Sequence, residues 1–296
     1  PFILTHFRGI GFKRADAIAA RLGITKNLPS RIASGVIYLL EEALQGGNTY
    51  LPMEYLLPKA SGLLEVGENE VSDVIASLVD EERLVIDNGR VYLASSFAAE
   101  QEVAGLLLKL RDHSAPSLDF DEAKLKEVES QLGIEYTKEQ REACLKSVEN
   151  KITIVTGGPG TGKTTLIRGI ISFLLAKSMR IELAAPTGRA ARRLTELTGY
   201  PAQTIHRLLE YNPKSNSFRR NGYFPLDGEF IIVDEVSMVD IFLFRSLLRA
   251  CSSSARLLLV GDADQLPSVG PGRVLADLID SKCFSVFRLT KIHRQA

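Results

Sequence analysis

Five short β-branched or aliphatic runs punctuate the second half of the chain: Ile152–Val155, Ile181–Ala185, Phe230–Val233, Leu257–Val260 and Val286–Leu289. Each gives way to a polar loop, and the runs are separated by segments with helical spacing. Continuous apolar runs in that alternation read as strands buried on both faces of a parallel sheet. Sheets of this kind bind ligands outside the carboxyl ends of their strands. The predicted class is therefore α/β, with five strand ends converging on one crevice.

The first run opens into TGGPGTGKTT (156–165). Gly157, Gly162, Lys163 and Thr164 satisfy G-x-x-x-x-G-K-[ST] after a strand and before a helix, the setting that the motif requires. Glycines let the backbone curl until its N–H groups and the helix N-terminus face phosphates. Lys163 is expected to reach the β- and γ-phosphates of ATP, and Thr164 to offer its hydroxyl to Mg²⁺. Gly158, Pro159, Gly160, Thr161 and Thr165 complete the candidate nucleotide-binding stretch; a plain glycine turn is the rival reading.

FIIVDE (230–235) supplies the acidic partner that the metal needs. Asp234, at the end of a buried run, is placed to hold Mg²⁺ through water, and Glu235 to polarise the attacking water. Acidic pairs at strand ends are often only solvated termini, but the apolar run and the order after the phosphate loop argue against that here. Upstream, Thr137-Lys138-Glu139-Gln140 has two readings. It is a capping box, with Gln140 reaching back to Thr137, or Gln140 hydrogen-bonds an adenine edge.

Lys plus Arg and Asp plus Glu are equal at 36 each, so any nucleic-acid surface has to come from local patches. With 296 residues, 45% of them hydrophobic, the chain can build a sizeable core and two or three domains. Cys144, Cys251 and Cys283 lack metal-ligand spacing and suit a reducing cytoplasm. No apolar run approaches the ~20 residues that span a bilayer, and no signal peptide opens the sequence. Pro1 opens what reads as mid-domain sequence, so a fragment is expected.

Before Lys151 the character changes. RGIGFKRADAIAARLG (8–23) places a glycine turn before a basic, alanine-rich helix; 31–46 and 71–82 read as helices, and RLVIDNGRVYL (83–93) as a β-hairpin. Helices followed by a hairpin indicate a winged-helix arrangement. Pro116 in HSAPSLDFD (113–121) breaks the pattern, and 121–132 follows as a charged helix. The expected division is 1–30, 31–115 and 116–296.

Further stretches recur in order: APTGRAARRL (185–194), TIHRLL (204–209), VDEVSM (233–238), LVGDADQLPSVGPG (259–272) and LTKIHRQ (289–295). With the phosphate loop and the early glutamine, this set resembles the superfamily 1 DNA helicases, and most closely their RecD/TraA branch. The likeness covers at least 134–296. The N-terminal part is similar to the region preceding the motor in stand-alone RecD-like helicases.

The resemblance implies a RecA-like P-loop motor preceded by a mainly α helix-hairpin-helix and winged-helix-like region. It implies ATP and Mg²⁺ as cofactors and single-stranded DNA or a single/double-strand junction as partner. The parent would be a 5′-to-3′ helicase of recombination and repair, related to the exodeoxyribonuclease V alpha subunit. By resemblance Gln140 contacts adenine, Gln265 senses the γ-phosphate and Arg294 approaches it from the second motor domain. Pro186, Thr187 and Arg189 would meet DNA at a helix N-terminus, where backbone N–H groups favour phosphate. His206 would add a strand contact, although a lone histidine there is also readable as structural. Arg192 and Arg193 read as a solvated face, and 210–229 as a small pin.

Gly9 and Gly11, with Lys13 and Arg14 beside them, fit a helix-hairpin-helix that grips DNA phosphates, against the rival of a glycine turn between core helices. The later motifs of the second motor domain, with another arginine, are expected beyond Ala296, so the fragment itself is expected to bind nucleotide and turn it over very slowly. The alternatives are an ATP-gated DNA-binding module without helicase activity, and another phosphate-loop class such as a kinase.

Overall fold

The computed structural model describes residues 11–114 and 116–292. Gly9 and Arg294 lie outside the described residues. The chain divides into two compact units, residues 1–101 with 269–272, and residues 102–268 with 273–296. Each is taken by itself.

The first unit is mainly helical: α1 (Phe12–Arg21), α2 (Pro29–Gln45), β1 (Tyr50–Pro52), α3 (Met53–Leu64), α4 (Glu68–Asp80), β2 (Leu84–Asp87) and β3 (Arg90–Leu93). Asn88 and Gly89 both take positive φ, 47° and 75°, which suits the right-handed twist of a two-residue hairpin between β2 and β3. β1 pairs antiparallel with β3 on its free side, making the sheet β1-β3-β2. Sequence reading overlooked β1 because three residues show no period, and it overlooked α3 because Pro58 lies inside it. Ile32, Val36, Leu39 and Leu40 from α2 pack with Leu56, Leu64, Val71, Ile75 and Val91 in one core.

α5 (Ala94–Asp112) carries the chain past residue 101. The second unit continues with α6 (Glu122–Leu132), α7 (Lys138–Glu149), β4 (Ile152–Gly157), α8 (Lys163–Ala176), β5 (Ile181–Ala185), α9 (Gly188–Thr198), β6 (Gln203–Thr204) and α10 (Ile205–Leu208). After a two-stranded ribbon, β7 (Tyr211–Asn212) with β8 (Ser217–Phe218), come β9 (Phe230–Val233), α11 (Ile241–Ala250), β10 (Arg256–Gly261), α12 (Val274–Asp280) and β11 (Ser285–Leu289).

Six strands form one sheet in the order β11-β4-β10-β9-β5-β6, and every pairing in it is parallel. Three of the four inner strands, β4, β10 and β9, are almost continuously buried, whereas the edge strands β11 and β6 are partly exposed. That gradient is why the central runs are the most uniformly aliphatic. The fold is a RecA-like P-loop sheet, and its carboxyl ends carry the phosphate loop, Pro186, the acidic pair and the Asp262–Gln265 turn side by side.

Candidate nucleotide and nucleic-acid site

Gly157 ends β4 opposite Leu289 of β11. A Cβ at Gly157 would stand 2.6 Å from the Leu289 carbonyl oxygen and 2.8 Å from Thr161 Oγ1, so the strand pairing itself demands glycine. Gly160 and Gly162 take φ of 77° and 86°, the left-handed values that turn the loop into α8. Thr161 closes the turn by donating its hydroxyl to the Gly158 carbonyl at 2.8 Å. Pro159 lies within this curl, and Gly158 has open space around its Cα. Lys163 begins α8 and donates from Nζ to the carbonyls of Gly157 and Gly158, the latter at 3.0 Å. Thr164 and Thr165 occupy the first turn of α8, where N–H groups have no partner inside the helix.

The acidic pair leaves β9 in a bent path. The Asp234 N–H donates to the Ala184 carbonyl at 2.9 Å, and Asp234 Oδ1 accepts the Glu235 N–H at 2.9 Å. Glu235 has φ 55°, a left-handed conformation that costs a non-glycine residue about 1 kcal/mol or more. Burial, then the charge of Glu235, pushes the Asp234 carboxyl up to about 6, against the opposing pull of Lys163 and Arg193. Arg193 is thus within electrostatic reach of the acidic pair, which its reading as a solvated face did not include. Glu235 Oε2 and Ser237 Oγ are buried and have no hydrogen-bond partner among the described residues.

That orphaned carboxylate oxygen beside a recessed aspartate suits a hydrated cation and an attacking water, groups with protons and charge to offer there. No cluster of three or more His, Cys, Asp or Glu occurs among the described residues. Mg²⁺ held by one carboxylate, a threonine hydroxyl, phosphates and waters needs none.

Gln140 realises the capping box. Its Oε1 accepts the Thr137 N–H at 2.9 Å, its N–H reaches Thr137 Oγ1 at 3.2 Å, and its Nε2 donates to the Thr161 carbonyl at 3.1 Å. Both functions of the side-chain amide are engaged within the protein, and only 3% of the residue is exposed. A second tether runs from the same segment, where the Tyr136 hydroxyl donates to the Thr165 carbonyl at 2.9 Å. Glu129, itself buried, holds the Tyr136 N–H at 2.7 Å with one oxygen and Arg141 at 2.7 Å with the other. Sequence reading missed Tyr136 and Glu129. The only cue was an aromatic residue four positions before Gln140.

At the next strand ends, Thr187 caps α9 and accepts the Ala190 N–H at 3.2 Å; Pro186 and Thr187 are half-buried and Arg189 is exposed. Thr156 Oγ1 accepts the Ala263 N–H at 3.0 Å and so ties the end of β4 to the turn after β10. Gln265 on that turn is exposed. The exposed His206 ring lies 5.5 Å from Tyr211 and 5.6 Å from Phe218, so it joins an aromatic trio on the β7–β8 ribbon. Gly11 and Lys13 belong to the first unit, where Gly11 precedes α1 and Lys13 Nζ lies 6.0 Å above the Tyr38 ring.

Fold and site together define a RecA-like P-loop nucleotide-binding protein. Residues 140–271 match the family described as "AAA domain", and residues 1–50 the "ATP-dependent RecD2 DNA helicase HHH domain". An "ATP-dependent RecD2 DNA helicase" from Deinococcus radiodurans is 34% identical across 100% of this chain and 42% of its own length. A "RecBCD enzyme subunit RecD" from Mycolicibacterium smegmatis is 42% identical over 48% of this chain and 30% of that protein. Among solved structures, a Pif1 helicase from Candida albicans aligns with a TM-score of 0.43 at 24% identity, over 55% of this chain and 41% of that one. The chain is similar along its length to RecD-like helicases, and it spans less than half the length of these curated relatives.

Proposed function

We propose that the chain is the nucleotide-binding motor portion, with preceding DNA-binding region, of an ATP-dependent DNA helicase that moves along single-stranded DNA. The observation that supports this best is the convergence at one sheet end of Lys163, the Asp234–Glu235 pair with its orphaned carboxylate oxygen, and the capped helix at Thr187. The 5′-to-3′ direction and a role in recombination and repair rest on the resemblance alone.

In this reading Lys163 leaves the loop carbonyls for the β- and γ-phosphates, and the N–H groups of 160–165 hold the phosphate chain. Thr164 and Asp234 would hold Mg²⁺, which when bound neutralises charge on the transferring phosphoryl group. Glu235 orients the attacking water and takes its proton. Gln140 fixes the loop through Thr161 and meets adenine if its amide turns outward. Gln265, on the turn that Thr156 anchors, relays the state of the γ-phosphate, and Arg294 completes the charge around it. Pro186, Thr187, Arg189 and His206 track a DNA strand across the same edge, and Gly9, Gly11 and Lys13 add sequence-independent phosphate contacts.

The test combines binding with unwinding. Lys163→Ala is expected to weaken ATP·Mg²⁺ binding by this chain at least tenfold and to abolish unwinding in the whole protein. Glu235→Gln is expected to keep nucleotide affinity while lowering DNA-stimulated turnover of the whole protein by about 10²- to 10⁴-fold. Unwinding that survives Lys163→Ala would overturn the proposal. Nucleotide-dependent DNA affinity without any unwinding would leave a gated binding module in its place.

A further inference from the structure

At the opposite, amino end of the same sheet two cations are buried together without a counter-charge. Lys151, directly before β4, is 8% exposed, and Arg256, the first residue of β10, is 3% exposed. The parallel register sets Leu257 against Ile152. The residues just before them, Arg256 and Lys151, therefore stand side by side on strands about 4.8 Å apart, with side chains toward one face.

Their partners are neutral. Lys151 Nζ donates to the Ser253 carbonyl at 2.8 Å, and Arg256 Nη2 donates to the Pro116 carbonyl. Arg256 Nε is buried with no hydrogen-bond partner among the described residues. Among the same residues neither side chain makes an ion pair. Burying a charge is expensive unless it is paired, and burying two of like sign side by side is more so. The strain registers on Lys151: burial, then the Arg256 charge, pushes its ammonium down to about 8, with Cys251 acting the other way.

We infer that Lys151 and Arg256 form a binding site for a small oxyanion of the phosphate class, separate from the phosphate loop at the other end of the sheet. A guanidinium with an unused N–H and an ammonium on the neighbouring strand match the oxygens of a tetrahedral anion. The Ser252–Ser254 loop, whose outer hydroxyls lie 2.9 Å apart, borders the site and is partly exposed. Because both cations are nearly enclosed, the ligand is a free ion and not the backbone of an oligonucleotide.

The phosphate loop also attracts phosphate, so the experiment uses the 296-residue chain carrying Lys163→Ala as well as the unaltered chain. Inorganic phosphate is titrated against chloride at equal ionic strength, with melting temperature and the Lys151 side-chain resonance as readouts. Phosphate at ten times its Kd is expected to raise the melting temperature by about 2–4 °C in both chains. The Lys151 titration is expected to move upward by a pH unit or more. In the Lys163→Ala chain, Lys151→Met is expected to raise the melting temperature in phosphate-free buffer and to abolish the phosphate response. An unmoved Lys151 resonance, an equal effect of chloride, or an undiminished phosphate response in Lys151→Met would each overturn the inference.

Discussion

Asp234 shows how a candidate site side chain is held at a thermodynamic cost. Its carboxyl is pushed up to about 6 in the folded chain, against an ordinary value of 3.8. Above pH 6 the folded state must keep a charge that the unfolded chain carries freely, so stability is lost as pH rises from 3.8 through 6. A tenfold difference in proton affinity between the two states corresponds to about 1.4 kcal/mol. Asp234→Asn is accordingly expected to stabilise the nucleotide-free chain by on the order of 2 kcal/mol at about pH 7.5, and to give no gain below about pH 4; urea unfolding at the two pH values measures this. Gly157 makes the opposite case. Gly157→Ala would drive a methyl into the Leu289 carbonyl, 2.6 Å away, and is expected to cost about 1–3 kcal/mol in the same assay.

Between elements, the segment before α7 grips the phosphate loop and its helix at two points, Gln140 on Thr161 and Tyr136 on Thr165. Gly169 on α8 is the notch that admits the tyrosine, since a Cβ there would collide with the Tyr136 hydroxyl. Glycine-to-alanine in a helix ordinarily gains about 1 kcal/mol. Here the collision reverses the sign, and Gly169→Ala is expected to destabilise by about 1–3 kcal/mol. Tyr136→Phe removes both the hydroxyl and the worst of the collision. The double variant is therefore expected to be more stable than the sum of the two single changes predicts, by about 0.5 kcal/mol or more in a double-mutant cycle. Strict additivity would show that the notch and the hydroxyl act independently.

Over the whole molecule, positive and negative side chains balance at 36 each, so the proposed DNA affinity has to arise from local groups, for which Arg189 and the α9 terminus are the candidates. Affinity for single-stranded DNA is expected to fall with salt at a slope of about −0.7 per phosphate contact. Arg189→Ala is expected to reduce that slope by about one contact while lowering affinity for all sequences alike. An unchanged slope in a salt series by fluorescence anisotropy would remove Arg189 from the DNA surface.

Much of this was legible in the sequence because it is local or periodic. The five aliphatic runs became five of the six strands of the sheet, and the 83–93 hairpin formed around Asn88-Gly89. The phosphate loop was readable because its glycines answer a backbone requirement within about ten residues. The remainder needed the folded chain. β6 is two residues long and exists only because β5 offers an edge, and Tyr136, Glu129 and the Lys151–Arg256 pair acquire meaning only across strands and helices far apart in sequence. By itself the sequence determined the parallel sheet, its order of motifs and the residues at the strand ends, since hydrophobic period and turn stereochemistry act along the chain. Only the tertiary structure decided which polar atoms would be buried without partners, because burial is set by what other segments bring to the same place.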